Sequence, residues 1–201
     1  HYSLTSTKFI CSTAYYFTSS TSLTELLNVH PAIPNPSSYH QIWFKQKQIW
    51  RTNPHGEKSF AYFFLRKLLY SQGRSIRMFP SEAGVPSSNN YWIETSPYLW
   101  QSWIIVCFLG NFSTGSSFTF HTLLKSFQQV LSFNLIKIRS DITATNEGVV
   151  SALKGYLKQL IRLKVLQERD NERYEKLYQP QLHCEVDQCV KRDEEVFRRL
   201  R

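Results

Sequence analysis

Ser102-Trp-Ile-Ile-Val-Cys-Phe-Leu109 is the stretch on which the fold turns. It is a continuous apolar run rich in β-branched and aromatic residues, and it predicts a buried strand. Gly110 to Ser117 follows as a loop. Phe120, Leu123, Leu124, Phe127, Val130 and Leu131 then recur at helical spacing. Asn134 to Arg139 alternates Ile136 and Ile138 against Lys137 and Arg139, the period of a half-buried strand. Asp141 to Asn146 reads as a turn, with Asn146 capping the next helix. Val149, Val150, Leu153, Leu157 and Leu160 form that helix's apolar stripe. Ile161, Leu163 and Val165 alternate with Arg162 and Lys164, which predicts a third strand. The expected fold class is α+β: a small β-α-β-α-β module over residues 98–167, with both helices on one face of its sheet.

Outward from this module the chain reads as extensions. Residues 1–97 form an N-terminal extension that is partly irregular. Ser22-Leu-Thr-Glu25 fits a capping box before a short helix, and Pro31, Pro34 and Pro36 break regular structure after it. A helix is expected near 59–72. Ser59 is its N-cap, Phe60, Phe63, Phe64 and Leu68 fall at helical spacing, and Gly73 is its stop. Residues 80–97, rich in Pro, Gly, Ser and Asn, mark the main boundary. Residues 168–201 form a helical tail, two stretches separated near Pro180. The second places Val186, Cys189, Val190, Phe197 and Leu200 on one side, as a docking helix.

The chain has 201 residues, 24 Lys and Arg against 15 Asp and Glu, a net charge of +9 and a mean hydropathy of −0.35. The excess is uneven. It is +5 over residues 1–100, +5 over 101–167 and −1 over 168–201. Such a balance favours a polyanionic partner, nucleic acid before membrane. The longest apolar run, Trp103 to Leu109, falls far short of the ~20 residues of a membrane span. Four scattered Cys do not make a disulfide scaffold. Residues 1–24 hold one Lys, no acid and many Ser and Thr, the composition left near a removed organellar presequence.

On the expected sheet, Lys137, Arg139, Arg162 and Lys164 share the open face. Together with Lys125, Lys154 and Lys158 they account for the module's basic excess. Four crowded cations repel, and a polyanion relieves that repulsion. Solvent-facing lysines and arginines on a half-exposed sheet are the plainer alternative. An RNA-recognition motif would need stacking aromatics where Lys and Arg stand, so backbone contact is the expected mode. In the extension, Trp43, Lys45, Lys47, Trp50 and Arg51 interleave aromatics with cations. They suit base stacking plus phosphate contact, or equally a strand that buries its rings.

The segment from Val149 to Leu166 resembles large-subunit ribosomal protein L-thirty, above all its mitochondrial forms. Val150, Lys158, Leu160 and Arg162 match directly, and Ala152, Leu153, Leu157, Ile161 and Leu163 are similar. Lys158-Gln-Leu-Ile-Arg-Leu-Lys-Val-Leu166 is close to the mitochondrial ending. The resemblance covers about Gln101 to Gln167. It departs at the first loop, where Leu109-Gly110 and Gly115-Ser116 lack the family's arginines. Backbone N–H groups with Ser113, Thr114, Ser116 and Ser117 are left to reach phosphate there. The resemblance implies a three-stranded antiparallel sheet with two helices on one face. It also implies a structural, non-catalytic constituent of a mitochondrial large ribosomal subunit, in the matrix. The partners would be ribosomal RNA and neighbouring ribosomal proteins. The rival expectation is an accessory subunit of a respiratory or ATP-synthase complex.

No P-loop, dinucleotide fingerprint or nucleophile elbow occurs, and no cofactor is expected. His183, Cys184 and Cys189 are the one cluster of soft ligands. A zinc site there would need a distant fourth ligand, so a docking helix with buried thiols is the better reading. Asp193-Glu194-Glu195 reads as a solvated acidic run.

Overall fold

Ser102–Leu109 is helical. In the computed structural model, which describes residues 36–54, 58–139, 147–170 and 172–201, Pro97–Trp103 is an α-helix. It continues through a π turn, Ile104–Phe108, into a 3-10 turn, Leu109–Asn111. The strand reading fails for two reasons. Pro97 stands at the first helical position, where its fixed φ and missing N–H suit a helix start. With Tyr98, Leu99 and Trp100 the apolar stretch is also long enough for a buried helix, which a short apolar run alone cannot distinguish from a strand.

Among the described residues there are six α-helices and one three-stranded sheet. They run α1 (Pro36–Thr52), α2 (Phe60–Tyr70), α3 (Pro97–Trp103), β1 (Ser117–Thr119), α4 (Phe120–Ser132), α5 (Glu147–Arg162), β2 (Leu166–Arg169), β3 (Arg173–Lys176) and α6 (Val186–Leu200). The sheet is antiparallel in the order β1-β3-β2, with Phe118 opposite Tyr174 and Leu166 opposite Lys176. The expected α+β class and antiparallel three-stranded sheet are present, but the strands are other segments.

Of the expected elements, four helices stand where they were placed: α2, α4, α5 and α6. Asn134–Arg139 is not a strand of the sheet. It makes one isolated bridge, Ile93 with Ile138, and buries the consecutive Leu135 and Ile136. Ile161–Val165 is not a strand either. α5 runs on to Arg162 and closes in a Schellman motif, in which Val165 N–H donates to the Leu160 carbonyl (2.9 Å) and Lys164 N–H to the Ile161 carbonyl (2.9 Å). Lys164 takes the left-handed conformation there, at φ 60°. α2 ends the same way at Gly73 (φ 71°). The first tail helix is instead the β2-β3 hairpin, with Glu172 at φ 53° in its turn. The second is α6, as expected. QIWFKQKQIWR of residues 41–51 is helix α1, neither strand nor irregular. The expected short helix after Ser22, the turn at 141–146 and its Asn146 cap lie outside the described residues.

Residues 40–201 form one compact unit, which runs across residues 97 and 167 without a break. Of residues 1–39 only the first turn of α1 is described. α3 lies at the centre. Trp100 is fully buried, edge-on to Tyr156 (5.2 Å) and Phe127 (6.2 Å). The expected boundary at 80–97 is interior at its start, since Pro80 to Val85 are all buried. Its peptide groups are answered by side chains. Val85 N–H donates to Gln101 Oε1 (2.8 Å), Gln101 Nε2 donates to the Val85 carbonyl (3.0 Å), and the Trp43 indole donates to the Gly84 carbonyl. These bonds answer backbone groups that burial takes from water, while Glu82 Oε2 in the same loop is buried without a hydrogen bond.

Candidate functional site

Two polar features stand out, one inside the molecule and one on its surface. The inner one joins α1 to α6 through the loop at 77–85. On α1, Lys47 and Arg51 lie one turn apart and point inward. On α6, Asp193 lies four residues after Cys189 and three before Val196, on the buried stripe. Arg51 grips Asp193 with Nε on Oδ2 and Nη2 on Oδ1 (2.8 Å), and Lys47 Nζ lies 3.1 Å from Oδ1. Arg51 also donates to the carbonyls of Arg77 (2.7 Å) and Phe79 (3.1 Å) and to Ser81 Oγ (3.1 Å). Lys47 donates to the Ser81 carbonyl. Glu82, also buried, accepts on Oε1 from Arg192 Nη2 (2.8 Å) and the Tyr178 hydroxyl (3.1 Å). Tyr156 donates to the Glu82 carbonyl (3.1 Å).

Burial pushes the Lys47 ammonium down to about 8 against the pull of Asp193. Burial works to raise the Asp193 carboxyl, but Lys47 and Arg51 overcome it and hold it below its ordinary 3.8. Lys47, Arg51 and Asp193 have no solvent-exposed surface. The cluster is therefore a clamp between elements, a buried network that fixes how α6 sits on α1.

The outer feature is the exposed face of α2. Ala61, Tyr62, Leu65 and Leu69 face inward. Phe60 (62% exposed), Phe63 (51%), Phe64 and Tyr70 (80%) face out. The expected apolar stripe of this helix, Phe60, Phe63 and Phe64, is thus its outer side. The helix is apolar on both faces, and only packing decides which is buried. Arg66 and Lys67 are exposed beside these rings, and α2 carries no acidic residue. Phe63, Arg66, Lys67 and Tyr70 surround a shallow hollow of about 200 Å³. Sequence reasoning passed over this face, although Arg66-Lys67 set among aromatics was a readable signal.

The residues expected to bind RNA are scattered. Ser113 and Thr114 are exposed and Ser116 half-buried in the turn before β1, and Ser117 is exposed as the first residue of β1. Lys125 is exposed on α4, and Lys158 on α5. Lys154, on α5, pairs with Glu172 (2.6 Å) and lies over the Phe120 ring. Lys137 and Arg139 are exposed in the coil after α4. Arg162 donates to the Leu200 carbonyl (2.9 Å), and Lys164 is exposed in the turn after α5. No sheet face gathers Lys137, Arg139, Arg162 and Lys164, because none of the four lies in a strand. Of the five candidates in the extension, only Lys45 is exposed. Trp43, Lys47 and Arg51 are buried, and Trp50 is half-buried against Tyr98 (4.9 Å).

Cys189 is buried, Cys184 exposed and His183 half-buried. Among the described residues no group of three or more His, Cys, Asp or Glu is placed to hold a metal ion. No described helix is long and apolar enough to cross a membrane. Asp193 is the correction to the solvated acidic run: Glu194 and Glu195 are exposed, and Asp193 is the anchor of the clamp.

Comparison with curated proteins gave no match, and neither did comparison with solved structures. One family model matches, that of the competence protein CoiA, C-terminal domain, over residues 38–188. This overturns the ribosomal resemblance, which rested on the short segment from Val149 to Leu166 and on three strands that do not form. The ribosomal role, the accessory-subunit rival and the mitochondrial location give way to a family of bacterial competence proteins. The match begins within α1, ends within α6 and takes in the inward cations and the α2 face alike, so the chain belongs to the CoiA C-terminal-domain family.

Proposed function

We propose that this domain is a non-catalytic nucleic-acid-binding module of a competence protein. The observation that supports this reading is where the cations lie. Inside, Lys47 and Arg51 meet Asp193, Arg192 meets Glu82, and Lys176 donates to the Leu109 carbonyl (2.8 Å). Outside, Arg66, Lys67, Lys125, Lys137, Arg139 and Lys158 are all exposed. The positive balance of the chain is therefore largely a surface property, the footprint of a polyanion binder. Competence is a cell's readiness to take up DNA, so the family's name favours nucleic acid among polyanions.

The test is fluorescence anisotropy with labelled duplex DNA and labelled oligothymidylate over a range of salt. Binding with a dissociation constant on the order of 1 to 100 µM, weakening steeply with salt, is the expected result. No binding of either probe at low salt overturns the reading. Cleavage of either probe on incubation with Mg²⁺ overturns its non-catalytic part.

A further inference from the structure

We infer that the outer face of α2 is a stacking platform for single-stranded nucleic acid, with Phe60, Phe63 and Tyr70 under the bases and Arg66 and Lys67 on the phosphates. The inference rests on the nucleic-acid reading above and adds its site and strand state. Three observations carry it.

The first is the exposure itself. Four aromatic side chains on one helix face, at 62%, 51%, 38% and 80% exposure, form a contiguous apolar patch of the kind that marks an interaction surface. Exposed rings offer what every base can use, a flat apolar surface.

The second is charge. Arg66 and Lys67 lie within the patch, not at a distant rim, and line the same hollow as Phe63 and Tyr70. From Gln41 to Ser81 the chain has eight basic residues and one acid, Glu57. A phosphate approaching α2 meets no carboxylate on that helix. Exposed Phe, Tyr and Arg also occur in protein interfaces, and it is the one-sided positive charge around them that favours a polyanion.

The third is rigidity. Ser59 caps the start of α2, accepting from the Tyr62 N–H (3.2 Å), and the Schellman motif at Gly73 closes its end. Leu65 and Leu69 anchor the inner face in the core. The outer rings are thus held on a fixed element over about 15 Å. Duplex DNA keeps its bases stacked on one another and gives these rings nothing to stack on. A single strand does.

The experiment is anisotropy on the full chain, wild type against F63A/Y70A and R66Q/K67Q, with oligothymidylate, oligouridylate and a DNA duplex. K125Q/K158Q, expected to weaken duplex and single strand alike, is the general-charge comparison, and thermal melting checks each fold. F63A/Y70A is expected to melt like wild type and to lose roughly tenfold or more in single-strand affinity. Its duplex affinity should stay within about twofold. R66Q/K67Q is expected to lower the salt slope for single strands by about 1.4. Equal losses with oligothymidylate and oligouridylate would place recognition in bases and phosphates common to both, and a loss confined to one names the strand. If both probes bind wild type and F63A/Y70A changes neither, the platform is refuted while the nucleic-acid reading survives. Equal loss on duplex and single strand also refutes it. If neither probe binds wild type, both readings fall. If F63A/Y70A leaves single-strand binding intact but converts an oligomer to a monomer in light scattering, the face is a self-association surface and the inference is wrong.

Discussion

Asp193 answers two cations at once, which makes it the most consequential single carboxylate among the described residues. Asp193→Ala would leave Lys47 and Arg51 buried without their anion. Removing one partner of such a cluster costs about 3 to 5 kcal/mol, a large share of the roughly 5 to 15 kcal/mol that holds a domain folded, and urea unfolding should show that loss. The pH dependence has a defined sign. The Asp193 carboxyl titrates lower in the folded chain than in the unfolded chain, so its stabilisation is complete above about 3.8 and is lost as the pH falls below it. Lys47 behaves oppositely. Its folded value is about 8 against 10.5 unfolded, so the unfolded chain holds the extra proton between those values and stability gains from Lys47 as the pH rises through that window. Urea midpoints compared between wild type and Lys47→Met should diverge across that window. Parallel curves would show that Lys47 does not titrate there.

Two backbone positions make sharp predictions of their own. A Cβ on Gly155 would come within 2.6 Å of the Ser88 carbonyl oxygen, a backbone atom that cannot swing aside. Gly155→Ala should destabilise by about 1 to 3 kcal/mol, although alanine is the better helix former. Lys164 occupies the left-handed position that glycine fills at the end of α2. Lys164→Gly should therefore stabilise by about 1 kcal/mol, read as a raised melting temperature.

At the scale of elements, α6 is held by a ring contact as well as by the clamp. Phe197 lies 5.1 Å from Phe44 and 6.0 Å from Trp43, and Arg162 reaches back from α5 to the Leu200 carbonyl. Phe197→Ala should cost about 1 to 2 kcal/mol, since the ring is only half-buried. Its effect should be less than additive with Asp193→Ala, because both act on the same α1–α6 packing. Additive losses in a double-mutant cycle would separate the ring contact from the clamp. The amphipathic helices were legible at this scale. α4 and α5 carry one apolar stripe each, and periodicity located both. Ser102–Leu109 was not legible, because an unbroken apolar run has no period. Its helical state comes from Pro97 at its start and from apolar neighbours on every side.

At the scale of the whole molecule, charge is partitioned between a clamped interior and a basic exterior. Reversing Lys125 and Lys158 to Glu should weaken duplex and single strand alike and flatten the salt dependence. The α2 variants should discriminate between the two probes. The candidate site was half legible. Arg66-Lys67 beside aromatics could be read from the sequence, but the spacing of Phe60, Phe63 and Phe64 pointed them at the core. A helix apolar all round offers two faces, and only the packing of Leu65 and Leu69 onto the rest of the chain selects the buried one. The same ambiguity misled at α1, where Trp43, Lys47 and Arg51 looked like a surface pattern. Nothing local shows that Asp193, far along the chain, waits for them inside.

The sequence by itself determined the positive balance, the two amphipathic helices α4 and α5, the capped helix α2 and the docking helix α6, because each follows from local composition or from a period within one segment. Tertiary structure decided the burial of the 80–85 loop, the pairing of Ser117–Thr119 with Arg173–Lys176 and the outward turn of the α2 rings, and it completed the helix through Ser102–Leu109 that Pro97 begins. Each of these depends on partners distant in the chain, and burial free energy is settled between segments rather than within them.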